Sequence, residues 1–167
     1  IHFGTETGDD VTLEYMNKGN TAKDIVEQLH KLDKAGIVYN IVFMNGLACA
    51  GHSERHALES ARIFNKVNPA SINIVALTIF KESELYKDML SGDYIPTGEL
   101  EKLIELKTFI ENLSITTKIN ANTVSNTAPF VANLPKDRDS VLNSLQKTID
   151  NIDEKELLNY RNSIRSL

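Results

Sequence analysis

Residues 37–44, IVYNIVFM, decide the fold, because this run of β-branched and aromatic side chains predicts a buried strand. A helix pattern lies on either side of it. Before it, residues 21–36 read TAKDIVEQLHKLDKAG, with Thr21 suited to cap a helix and Gly36 suited to end it. After it, residues 53–67 repeat small and apolar side chains at helical spacing. This succession of helix, strand and helix indicates a β/α repeat.

The same alternation extends over the rest of the chain. Strands are predicted at residues 1–7, 71–78 and 114–120, and helices at residues 82–90, 99–113, 137–151 and 153–164. Strands that alternate with helices in this way form right-handed units on a parallel sheet. Four strands cannot close an eight-stranded barrel. Two α/β architectures therefore stay open, a small open sheet and an arc of a larger barrel.

Composition excludes several classes of protein. The 167 residues are 41% hydrophobic and 25% charged, which are ordinary values for one globular domain. The net charge is −5 without a basic block, which disfavours nucleic-acid binding, and no apolar run is long enough to span a membrane. Cys49 is the single cysteine, so no internal disulfide forms and a cytoplasmic location is expected.

Polar residues follow the ends of the predicted strands, which is where parallel α/β sheets bind ligands. These residues are Glu6, Thr7, Asn45, Gly46, Thr78, Asn120 and Asn122. Glu6 is the charged group among them, and its carboxylate suits ribose hydroxyls or an ammonium group because it accepts hydrogen bonds. The alternative is that threonine, asparagine and glycine simply end strands, as turn residues do.

A second candidate site lies at the start of the helix pattern after residue 52. His52 and His56 are four residues apart, so a metal hydrolase centred on His52, Glu54 and His56 is an alternative function. No third ligand lies nearby in the sequence. The glycine-rich dinucleotide motif, the phosphate-binding loop and the Gly-x-Ser-x-Gly elbow are all absent from the sequence, which disfavours the enzyme classes that use them.

Several short segments resemble a known family in their order and spacing. They read GTETGDD at residues 4–10, MNKGNT at 16–21, KAGI at 34–37, FMNGL at 43–47, HALESA at 56–61, NTVSN at 122–126 and LPKD at 134–137. Together they resemble the second half of radical S-adenosylmethionine (radical SAM) proteins, of the type labelled iron-sulfur oxidoreductases. The resemblance covers nearly the whole chain.

The resemblance implies a fold and a set of ligand contacts. The fold is an arc of a partial, TIM-like (β/α)6 barrel, from about its fourth strand onward, with C-terminal helices in the same single α/β domain. Glu6 and Thr7 are then expected to contact the ribose or methionine part of S-adenosylmethionine (SAM). Asn45, Gly46 and Thr78 are expected near adenine, and Asn122 and Asn126 on the substrate side.

One departure from the family pattern limits what this chain does. The three-cysteine motif that holds the [4Fe-4S] cluster is absent, and one cysteine cannot replace several thiolates. The resemblance therefore implies that SAM and the cluster belong to a full-length parent oxidoreductase. We expect this fragment to bind neither cofactor by itself, to carry no catalytic residue or metal ligand, and to be inactive alone.

Two kinds of partner follow from the same interpretation. We expect this chain to pair with the missing N-terminal part of the same polypeptide, or to self-associate through the exposed edge of its first strand. The alternative function is a non-catalytic module for small-molecule binding or assembly with the same small α/β sheet.

Overall fold

The structure, a computed structural model, describes residues 1–153. The elements in chain order are β1 (His2–Glu6), α1 (Asp10–Tyr15), α2 (Ala22–Lys34), β2 (Asn40–Asn45), α3 (Ser53–Phe64), β3 (Ser71–Ala76), α4 (Glu84–Ser91), α5 (Glu99–Asn112), β4 (Thr117–Asn120), β5 (Val131–Leu134) and α6 (Arg138–Asp150). The helix expected at residues 153–164 lies, beyond its first residue, outside the described range. Within that range, no helix combines the length and the apolar character needed to cross a bilayer.

The winding of the sheet confirms the parallel β/α repeats. The strand order is β1-β2-β3-β4-β5, with β1 to β4 parallel and β5 antiparallel to β4. Doubly wound sheets reverse their strand order at a switch point, whereas β1 to β4 follow chain order without a reversal. Beside the sheet, α2 contacts α3, and α3 contacts α5. This is how consecutive β/α units are arranged along an arc of a barrel.

One face of the sheet is covered by the helices. Side chains alternate along β2 and β3, so that Ile41, Phe43, Ile72 and Ile74 lie on this face and are completely buried. The ring of Phe43 stacks on that of Phe109 from α5, with centroids 3.9 Å apart. The hydrophobic core is therefore the layer between the sheet and its helices.

The opposite face of the sheet carries polar rows. Asn40, Ser71 and Lys118 occupy one row across β2, β3 and β4, and Asn73 pairs with Asn120 in the next. The Ser71 hydroxyl donates to Asn40 Oδ1 at 2.8 Å, and Asn120 Nδ2 donates to Asn73 Oδ1 at 3.2 Å. Val42, Met44 and Val75 follow on the same face towards the carboxyl ends of β2 and β3. Because the interiors of closed TIM barrels consist of packed, branched apolar layers, the polar rows near the amino ends of the strands differ from such a core.

Two elements of the structure correct the sequence-based count. The helix α1 has six residues, and β5 has four residues in the segment between residues 120 and 137, for which no strand or helix was predicted. The sheet therefore has five described strands rather than four. Both elements are too short for their apolar periodicity to be recognised, and β5 is stabilised by its pairing with β4.

Strand β1 forms one edge of the described sheet and pairs with β2 on its other side. Next to it, the Ile1 amino group donates to the Val38 carbonyl at 3.1 Å. Self-association through this edge stays a prediction, for which sedimentation is the direct measurement.

Buried tyrosines predict a loss of stability at alkaline pH. Tyr39 is 1% exposed, and its hydroxyl donates to Asp33 and accepts from the Asn68 amide. Burial raises the pKa of Tyr39 to about 12 from its ordinary value of 10. Burial also raises the pKa of Tyr94. The folded state therefore favours the neutral phenols. Their contribution to the free energy of unfolding is complete below pH 10 and is lost as pH rises towards 12.

The variant Tyr39→Phe tests this pH dependence, because phenylalanine has no proton to lose. We expect the variant to be less stable than the parent at neutral pH, where its two hydrogen bonds are missing. The difference in the free energy of unfolding between the parent and the variant should become smaller as pH rises above 10. Urea unfolding at a series of pH values measures it, and a difference that stays constant would contradict the assignment.

Candidate functional site

At the end of β1, the side chains of Glu6 and Thr7 lie in different environments, although both were expected to contact SAM. Glu6 has a φ of 60°, and this left-handed backbone costs a non-glycine residue about 1–2 kcal/mol. Its side chain is 26% exposed and forms an ion pair with Lys18. Thr7 is completely buried, accepts a hydrogen bond from the Asp9 amide at 2.9 Å and lies 3.3 Å from the Ser60 hydroxyl. Glu6 therefore stays at the rim, whereas Thr7 points into the protein.

Asn45 ends β2 with an unsatisfied side chain. It is 4% exposed, and strand alternation places it on the helix-covered face with Ile41 and Phe43. Its Oδ1 atom has no hydrogen-bond partner among the described residues. An unsatisfied buried oxygen costs about 1–3 kcal/mol, so this atom calls for a donor that residues 1–153 do not supply.

The ends of β3 and β4 carry two further unsatisfied oxygens. Thr78 follows β3, and its Oγ1 is buried without a partner in the described range. Asn126 is 6% exposed and donates its Nδ2 to the carbonyls of Ile74 at 2.8 Å and Ala121 at 2.6 Å, while its Oδ1 is unsatisfied there too. Asn122 is exposed on the same loop.

Three of these residues are tied to the end of one strand. The Leu77 amide donates to the Asn45 carbonyl at 2.8 Å, which joins the end of β2 to the residue before Thr78. The hydrogen bond to Ile74 joins Asn126 to the same strand. Of the five buried side-chain polar atoms without a partner in residues 1–153, three belong to Asn45, Thr78 and Asn126. Unsatisfied acceptors are thus concentrated at the rim.

Charged residues of α5 that the sequence analysis did not select approach the turn at Gly46. The Gly46 amide donates to both carboxylate oxygens of Glu105, at 3.2 and 3.1 Å. A Cβ on Gly46 would lie 2.7 Å from Cε of Lys102. Both charged residues are buried. The signal in the sequence is that Lys102 and Glu105 precede Phe109 by seven and four residues, which places them on one buried face of the helix, where charged residues are rare.

The histidines of the second candidate site do not lie together. His52 is exposed before α3, whereas His56 is completely buried and its Nδ1 lies 2.5 Å from Glu105 Oε1. Glu54 is exposed. Within residues 1–153, no group of three or more histidine, cysteine, aspartate or glutamate side chains is arranged to hold a metal ion. The geometry therefore gives no support to the metal-hydrolase alternative.

Comparisons with known proteins agree with the fold. No family model matches the chain. The uncharacterized protein MJ0486 of Methanocaldococcus jannaschii is 26% identical over 114 residues, which are 68% of this chain and 35% of the relative. The structure of archaeal Elp3 from Methanocaldococcus infernus, with an N-terminal deletion, matches 88% of this chain and 35% of its own with a TM-score of 0.61 and 14% identity.

The structural match concerns the fold of this chain. Elp3 is a member of the radical SAM superfamily, and at 14% identity its likeness establishes a shared α/β fold with a mostly parallel sheet. The chain spans about a third of the length of each of these two proteins, at 35% in both cases.

Proposed function

We propose that this chain is the C-terminal arc of a radical SAM barrel and supplies part of the rim that binds SAM, together with part of the substrate wall. The serial winding of β1 to β4, the similarity to Elp3 and the segments quoted from the sequence support the proposal. The parent protein is then a cytoplasmic oxidoreductase.

The observation that carries this proposal is the concentration of unsatisfied acceptors at one rim. Asn45, Thr78 and Asn126 each hold a buried oxygen without a partner in the described range, and Glu6 adds a carboxylate at the neighbouring strand end. SAM offers the matching donors, which are the amine of adenine, the ribose hydroxyls and the ammonium of methionine. These residues are the proposed contacts to one side of the ligand.

The residues of this chain do not fit an iron–sulfur cluster. Such clusters are held by several cysteine thiolates, and Cys49 is the single cysteine in the sequence and is half-buried. In radical SAM enzymes, the cluster and SAM supply the radical chemistry, and the protein positions them. The proposed contribution of this chain is binding and orientation, so it is inactive alone.

The single cysteine also favours a second candidate function. A module that binds a small molecule or a partner chain, without radical chemistry, needs no cluster. The two functions differ in the full-length gene product. A radical SAM parent requires an upstream Cys-x-x-x-Cys-x-x-Cys segment and contains iron and sulfide, whereas a non-catalytic module has neither.

Glu6 provides the test of the proposed rim. In the full-length gene product, we expect Glu6→Gln to weaken SAM binding about tenfold, because the amide replaces an ionic hydrogen bond by a neutral one. Calorimetric titration measures the dissociation constant. Glu59→Gln is the matched control, since it also breaks a carboxylate ion pair, here with Arg62 on the exposed face of α3.

Two results would count against this site. One is a full-length protein that contains no iron and shows no heat of binding with SAM. The other is a pair of variants in which Glu6→Gln and Glu59→Gln leave the SAM affinity equally unchanged.

A further inference from the structure

The turn that follows β2 is held on three sides by side chains from distant parts of the chain. The Gly46 amide donates to Glu105, and its carbonyl accepts from the Tyr94 hydroxyl at 3.2 Å. The aliphatic stem of Lys102 covers its α-carbon so closely that a Cβ would collide with it. Gly46 also has a φ of 78°, which favours glycine. The orientation of the peptide groups on both sides of Gly46 is therefore fixed by these contacts.

The position of Glu105 is energetically unfavourable for a carboxylate. It is completely buried, and a buried carboxylate is destabilising unless hydrogen bonds and charges compensate it. Both of its oxygens accept from the Gly46 amide, and one also meets His56 Nδ1 at 2.5 Å. An apolar side chain would fill the same space without this cost. The carboxylate thus gives the turn a directional contact that apolar packing does not provide.

His56 contacts the carboxylate of Glu105. It is completely buried, and its ring stacks on Phe43 with centroids 5.2 Å apart. Its Nδ1 lies 2.5 Å from Glu105 Oε1, and its Nε2 has no partner among the described residues. Among the hydrogen bonds of residues 1–153, the one that links His56 to the turn runs through Glu105.

We propose that Glu105 is a positioning residue for ligand binding, which fixes the Asn45–Gly46 peptide and thereby holds Asn45 Oδ1 ready for a hydrogen-bond donor of the adenine base. His56 acts through Glu105. This inference rests on the proposed function and adds two residues that do not touch the ligand. The same helix also reaches the next loop, where Glu101 accepts from the Gly51 amide at 2.7 Å and from the Ser53 hydroxyl at 2.8 Å.

The test compares Glu105→Gln with Glu101→Gln in the full-length gene product. Glutamine keeps the shape of Glu105 but removes the charge that holds the Gly46 amide. We expect SAM affinity to fall about tenfold in E105Q and to change less than about twofold in E101Q, whose carboxylate contacts the neighbouring loop. The Gly46 amide signal in NMR spectra should move upfield in E105Q, because its hydrogen bond weakens.

A double-mutant cycle tests the role of His56. If His56 acts through Glu105, then H56N combined with E105Q should bind SAM no more weakly than E105Q alone. Additive losses would overturn the proposed relay. If E105Q does not fold, H56N alone should still shift the Gly46 amide and weaken SAM binding, and a shifted amide with unchanged affinity would overturn the proposal.

Failure of this inference is distinguishable from failure of the proposed function. A parent protein that binds SAM while E105Q retains its affinity overturns the positioning role and leaves the function intact. A parent protein that does not bind SAM overturns both.

Discussion

Replacement of Phe43 by alanine is expected to lower the free energy of unfolding by about 3–5 kcal/mol, as deletion of a buried aromatic ring generally does. The side chain is completely buried, and its ring lies parallel to that of Phe109, with centroids 3.9 Å apart and planes within 4°. His56 stacks at 5.2 Å. Removal of the ring opens a cavity where β2, α3 and α5 meet. Urea unfolding of the parent and the variant measures the difference.

Two further substitutions define the scale of this effect. Phe43→Leu keeps much of the volume, so its cost should be smaller, at about 1–2 kcal/mol. Val38→Ala, at a side chain that is 72% exposed, should change the stability by less than about 0.5 kcal/mol. A loss of stability in Phe43→Ala no larger than that in Val38→Ala would show that the aromatic stack is absent.

Substitution of Gly8 by alanine is expected to destabilise the protein by about 1–3 kcal/mol through overpacking. A Cβ at this position would lie 2.8 Å from Cβ of Ile63 and 2.9 Å from Cα of Ser60, both in α3. The Gly8 amide also donates to the Ser60 hydroxyl at 2.9 Å. Because the close contact involves helix backbone, α3 must move away from the end of β1 to admit the methyl group.

Gly4→Ala is the matched control for this substitution. Gly4 precedes Gly8 by four residues, and the nearest atom to its added Cβ is Glu6 Oε1 at 3.9 Å, an ordinary contact distance. Thermal unfolding of both variants compares the same chemical change with and without the clash. Equal melting temperatures for Gly4→Ala and Gly8→Ala would contradict the close approach of α3 to β1.

The fold class could be predicted because its signals are local. The run at residues 37–44 and the apolar helix faces around it need only periodicity to be recognised, and Thr21 caps α2 as expected. A general rule of parallel sheets also selects the strand ends Asn45 and Thr78 as candidate ligand contacts, whereas Asn126 followed from the resemblance to radical SAM proteins. Short elements such as α1 and β5 depend on tertiary contacts, so their sequences alone do not identify them.

The interior of the site could not be predicted because its contacts join distant parts of the chain. Glu105 meets Gly46 across 59 positions, and Thr7 meets Ser60 across 53. Local patterns carry no information about which helix covers which turn. The charged residues on the buried face of α5 are visible in the sequence, but their partners follow only from the packing of α5 against α3 and against the turn after β2.

The polar rows on the uncovered face of the sheet have a consequence for any larger assembly. Carboxamides, a hydroxyl and the Lys118 ammonium group occupy positions where side chains in a closed barrel would otherwise exclude solvent. Hydrogen-bonding groups of this kind retain water. A ring of strands completed from this sheet would therefore be hydrated near the amino ends of its strands, whereas Val42, Met44 and Val75 would line it towards the carboxyl ends.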